Sequence, residues 1–114
     1  CLGLLALPAL AEPWDCRFTA ECTLAEGCME TGLTLRIIAA DHAGDLFVST
    51  VTGDSPVLRL TAQGALPASY AGAAREGMAE LLTIETDSTA LMTVHLFDGA
   101  ASAITYFGTC EGLT

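Results

Sequence analysis

Lysine and asparagine are both missing from this 114-residue chain, and its only basic residues are four arginines. Without asparagine there is no N-x-S/T acceptor for N-glycosylation. Fourteen acidic residues against four basic ones leave a formal net charge of −10. Such a chain repels phosphate backbones, which argues against nucleic-acid binding. It carries no basic amphipathic segment suited to an anionic membrane. Nucleotide-binding glycine loops, the G-x-S-x-G elbow and the H-E-x-x-H metal motif are absent as well. The sequence therefore reads as a non-enzyme with no cofactor and no metal. The absence of lysine and asparagine beside abundant alanine points to a GC-rich bacterial source.

Long apolar runs are also lacking. The longest, CLGLLALPALA at 1–11, falls short of the roughly 20 residues that span a bilayer as a helix. It ends in Ala9-Leu10-Ala11 ahead of the acidic Glu12. An apolar stretch closing on small residues is the tail of a secretory leader. The expectation is a leader remnant over 1–11, a mature chain from Glu12, and a single domain over 12–114. Location is then periplasmic or secreted, with no stable membrane insertion. A domain of this length buries roughly 65% of its unfolded surface, so crosslinks would help a thin core.

What is present is alternation. Cys16, Phe18, Ala20 and Cys22 share one parity, and Arg17, Thr19, Glu21 and Thr23 the other. That is the period of a half-buried antiparallel strand. The pattern resumes with Leu33, Leu35, Ile37 and Ala39 inward, through LFVSTV (46–51), and with Leu58, Leu60 and Ala62 on one face. After a long Gly- and Ala-rich loop over 63–77, with room for a short strand or helical turn near Tyr70, it returns in Leu82 and Ile84, then in Ala90, Met92, Val94 and Leu96. Asp98-Gly99 is a hairpin signal. Ile104, Tyr106, Gly108 and Cys110 close the chain on one face. About seven short strands, turns every 8–12 residues and no long helix predict an all-β antiparallel meander, barrel-like or sandwich.

Four cysteines lie beyond the leader: Cys16, Cys22, Cys28 and Cys110. Their spacing matches neither zinc knuckles nor a C-x-x-C redox pair. An even number in a small exported domain favours disulfides. On one strand, Cys16 and Cys22 would lie roughly 20 Å apart, well beyond the ~7 Å a bridge allows. A turn at 24–27 returns Cys28 to Cys22 and leaves Cys16 for Cys110, a clamp between first and last strands. The alternative, 16–28 with 22–110, would need a turn centred on Cys22 and would break the strand.

Polar candidates are sparse. His42 lies in a turn with Asp41 and Asp45; Asp54 sits in a neighbouring turn, with a spacing that matches no EF-hand. His95 falls on the outward parity of its strand. Trp14, beside Cys16, reads as packing over the disulfide or the barrel end, with an exposed ligand-stacking residue as the alternative. Tyr70, on the long loop, is the best candidate for a recognition element, because loops carry function.

Two resemblances rest on these residues. The layout E-P-W-D-C (12–16), E-C (21–22), Cys28 and I-T-Y-F-G-T-C-E (104–111) resembles small exported bacterial proteins of unknown function. It implies a fold and a compartment. Ala68-Ser69-Tyr70, in a disulfide-tied β domain, is similar to the recognition loop of periplasmic inhibitors of C-type lysozyme. That resemblance implies Ser69 and Tyr70 as partner contacts; the lysine of that family has no counterpart here. The resulting expectation is a binding or envelope-accessory protein acting through a loop surface. Its alternatives are an inhibitor of a cell-wall hydrolase and a carrier of a small apolar ligand inside a barrel. A cationic protein or an apolar ligand is the expected partner.

Overall fold

The computed structural model describes residues 12–39, 46–72, 77–97 and 99–112. The leader-like run and the turn holding Asp41, His42 and Asp45 lie outside the described residues. Every regular element among them is a strand: β1 (Trp14–Thr23), β2 (Gly27–Glu30), β3 (Thr34–Ala39), β4 (Leu46–Thr50), β5 (Gly53–Arg59), β6 (Ala68–Gly72), β7 (Met78–Ile84), β8 (Thr89–Leu96) and β9 (Ser102–Gly112).

All pairings are antiparallel, and β3 to β9 succeed one another as a meander. β9 then returns to β1, with Trp14 opposite Gly112 and Cys16 opposite Cys110. The sheet is thus a closed eight-stranded barrel, and β2 is a ninth, additional strand. β1 serves both parts. Its first half pairs with β3, from Trp14↔Ile37 to Arg17↔Thr34. Its second half pairs with β2, from Ala20↔Glu30 to Thr23↔Gly27. A bulge between Phe18 and Ala20 separates the halves. A bulge bends its strand and re-aims the side chains on its far side.

The alternating apolar residues fill the barrel. Phe18, Ile37, Ile84 and Cys16 are wholly enclosed, with Leu35, Val48, Leu82, Met92 and Val94 packed around them. Each such side chain contributes about 1.5–3 kcal/mol by leaving water. Gly108 is required where β9 crosses Phe18: a Cβ there would stand 2.1 Å from the Arg17 carbonyl oxygen and 2.6 Å from the Phe18 Cα.

Both disulfides join residues that lie directly opposite in the ladder. Cys16–Cys110 spans 94 residues and ties the first strand to the last. Cys22–Cys28 closes the β1–β2 hairpin. This is the pairing that strand geometry favoured.

Several expectations are corrected. Among the described residues there are nine strands rather than about seven. β2 is only four residues long and exposed throughout, so it carries no alternation to detect. Within the 63–77 stretch the short element near Tyr70 is a strand, Ala68–Gly72, and it belongs to the barrel. β5 has the opposite phase to the one expected: Leu58 and Leu60 are exposed, while Val57 packs against the core. Arg59 shares the parity of Val57, and a charged residue is tolerated there because Glu12 receives it. Finally, the bulge shifts the phase of β1, so Cys22 does not continue the inward row of Cys16 and Phe18.

Candidate functional site

The two ends of β1 differ in chemistry. At the start, Glu12, Trp14, Arg59 and Tyr70 form one hydrogen-bonded chain. The Trp14 indole Nε1 donates to the Tyr70 hydroxyl at 2.9 Å. That hydroxyl donates to Glu12 Oε2 at 2.6 Å. Arg59 grips the same carboxylate with both Nε, at 2.9 Å, and Nη2, at 2.5 Å. Four distant segments are linked this way: the approach to β1, β1 itself, β5 and β6.

The electrostatics arise from these contacts. Burial pushes the Glu12 carboxyl up, but hydrogen bonds from Arg59 and Tyr70 and the Arg59 charge outweigh it, so Glu12 is held below its ordinary value. The hydrogen bond to Glu12 raises Arg59 further. Burial, then the bond to the Glu12 carboxylate, drives the Tyr70 phenol strongly upward. Tyr70 is therefore a fixed donor and Glu12 a fixed acceptor. Among the described residues no buried side-chain nitrogen or oxygen is left without a partner. This cluster ties one end of the barrel together.

The expected recognition residues are displaced by this network. Trp14 is 4% exposed and Tyr70 2%. Both point into the barrel, where an indole N–H and a phenol need partners when buried. Neither presents a surface to a partner. Ser69, the preceding residue on β6, faces the other way. Its hydroxyl donates to the Leu82 carbonyl at 3.2 Å and pairs with the Thr83 hydroxyl at 3.0 Å.

Other polar candidates stay dispersed. His95 is exposed on β8. Asp54 is exposed on β5. Among the described residues no three His, Cys, Asp or Glu side chains converge as metal ligands. Glu80 has the inward parity of β7 and is half-buried, which raises its carboxyl. Tyr106, tilted against Phe18 at a centroid distance of 6.0 Å, is raised by burial and then by the charges of Glu21 and Glu80.

The far end of β1 is apolar and open. The β1–β2 turn and the β8–β9 connection flank a groove of about 1130 Å³. Leu24, Leu96, Phe97 and Ile104 line it, with Glu26 and His95 among its polar residues. Leu24 has its full side chain in solvent, and Phe97 is 59% exposed. The turn that carries Leu24 is fixed by the Cys22–Cys28 bridge and by Glu26 N–H donating to the Thr23 hydroxyl at 3.1 Å. Gly27 supplies the left-handed backbone at φ 72° that returns the chain. Sequence reasoning missed this groove. The available signal was leucine in a turn and phenylalanine directly before Asp98-Gly99, places where polar residues are usual.

No family model, curated protein or solved structure matches this chain.

Proposed function

We propose that the protein is a non-enzymatic, exported binding protein that engages a cationic partner protein through the groove at the β1–β2 end. The observation that carries this reading is Leu24, fully exposed on a turn that a disulfide holds in place beside an apolar groove. An apolar side chain costs free energy in water, and a pre-ordered turn loses little entropy on binding. Glu26 in the groove and the −10 net charge suit a basic partner. Two disulfides and the leader-like run support export to an oxidising compartment, periplasmic or extracellular. A basic cell-wall hydrolase of the lysozyme type is a partner of this kind. Contact would come from the groove, since Tyr70 is inside the barrel.

The test places a photo-crosslinker at Ala25 and exposes the protein to a bacterial periplasmic extract. The expected result is one dominant basic protein, identified by mass spectrometry, that Phe97→Asp no longer captures and Val51→Asp still does. Capture unaffected by Phe97→Asp would remove the groove from consideration. A small molecule retained in native mass spectra, with no protein captured, would replace this reading with an apolar-ligand carrier.

A further inference from the structure

The charge of this molecule is distributed unevenly over the barrel wall. Along β6, β7, β8 and β9 the outward positions from Ser69 and Ala71 to Thr109 include no Asp, Glu or Arg, and the next one on β9 is Glu111, at the edge of this face. A soluble surface is usually a quarter to a third charged, so a face of this size would carry roughly three or four charges. Its centre is apolar instead. Register places Leu81 beside Thr93, and Leu91 beside Phe107. Leu81, Leu91 and Phe107 are each more than two-fifths exposed. The row continues through Ala71 to Leu58 on β5. Charged residues return on the neighbouring strand, where Arg17 and Asp15 of β1 lie opposite Thr109 and Glu111, and on β3 with Arg36.

We infer that this face is where a second copy of the chain docks, wall against wall, about a two-fold axis near Leu91. Charge decides the occupant. A cationic partner needs carboxylates opposite it, and this face has only Glu111, at its edge. Two copies at −10 repel one another, and this is the side on which they approach with the fewest like charges brought together. An isologous contact sets each neutral row against its own copy, which suits a patch that is apolar at the centre and hydroxyl-lined around it.

Size sets the strength. The wall is convex, so contact centres on three strands, about 14 Å across and about 23 Å long. That is roughly 330 Å² in projection per copy, against about 800 Å² per partner in a standard interface. The dimer is therefore weak and concentration-dependent. The face meets the groove only at its end, where His95, Ala103 and Thr105 belong to both, and its centre at Leu91 lies outside the groove, so either can fail alone.

Sedimentation velocity from low micromolar to millimolar protein tests it, at low and high salt. The expected result is a monomer–dimer equilibrium in the hundreds of micromolar that tightens as salt screens the repulsion between copies. Leu91→Asp and Phe107→Asp, both at exposed positions, should keep the wild-type circular dichroism and remain monomeric throughout. Val51→Asp adds the same charge away from the face and should dimerise as the parent does. A wild-type monomer at every concentration and salt overturns the inference, as does a dimer that survives Leu91→Asp or that salt dissolves. Binding of monomer to neutral phosphatidylcholine vesicles, abolished by Leu91→Asp and with no dimer seen, would overturn it in favour of a lipid surface.

Discussion

Tyr70 shows how one hydroxyl can organise a barrel end. It accepts from Trp14 and donates to Glu12, so deleting it orphans the buried Trp14 N–H and leaves Glu12 with its Arg59 bonds alone. Orphaned buried polar groups cost about 1–3 kcal/mol, more than the bond itself contributes. Tyr70→Phe should therefore lower unfolding stability by about 2 kcal/mol in urea titrations near neutral pH. The deficit depends on pH in a defined direction. Glu12 is held below its unfolded value, so its stabilisation is present above the unfolded value and is lost as pH falls through the folded one. The Tyr70→Phe deficit should shrink over that same acid window, because the wild type then loses its charge-assisted bond too. An unchanged deficit in acid would mean that the phenol contributes by packing rather than through the carboxylate.

At the scale of elements, β1 does more than one strand's work. Its bulge lets it pair with β3 first and β2 second while β9 runs along its other edge. The close crossing of β9 over Phe18 depends on Gly108, whose missing Cβ leaves room for the Arg17 carbonyl. The obstructing atoms are backbone and cannot rotate away. Gly108→Ala should cost about 3 kcal/mol or more, measured as a fallen thermal midpoint or as insoluble protein. Gly32→Ala, with nothing within 4 Å of the added methyl, is the matching control and should be near neutral. Similar losses in both variants would show that the crossing does not set the effect, since chain entropy alone favours the alanine.

For the whole molecule, closure is the central event. A meander brings neighbouring strands together locally, but pairing β1 with β9 requires the two ends of the chain to meet. The Cys16–Cys110 bridge closes a loop of 94 residues. In the chain-entropy model a loop of that size contributes roughly 4–5 kcal/mol, against about 2 for the short Cys22–Cys28 loop. Replacing Cys16 and Cys110 by serine should lower the urea midpoint far more than replacing Cys22 and Cys28. If the proposed groove function holds, the second pair should instead impair partner capture while leaving the midpoint comparatively intact. The reverse ranking would argue that the barrel closes without covalent help.

Side-chain alternation alone determined most of the barrel. Leu35 and Ile37, Leu82 and Ile84, and Ala90, Met92 and Val94 are buried as their parity implies. The disulfide pairing was also legible, because an extended strand separates Cys16 from Cys22 by more than a bridge can reach. Parity failed where a long-range partner reverses a local preference. Arg59 keeps the inward phase of β5 because Glu12, 47 residues away, receives it. Tyr70 leaves the surface because Trp14 and Glu12 satisfy its hydroxyl. The phase of β1 turned at a bulge that pairing with β9 imposes. The groove and the uncharged wall needed the fold as well. Leu24 and Phe97 lie 73 positions apart in a chain of 114, and only the pairing of β1 with β9 sets them along one groove. Local periodicity is a property of neighbours in sequence; closure, charge distribution and the satisfaction of buried polar groups are properties of neighbours in space.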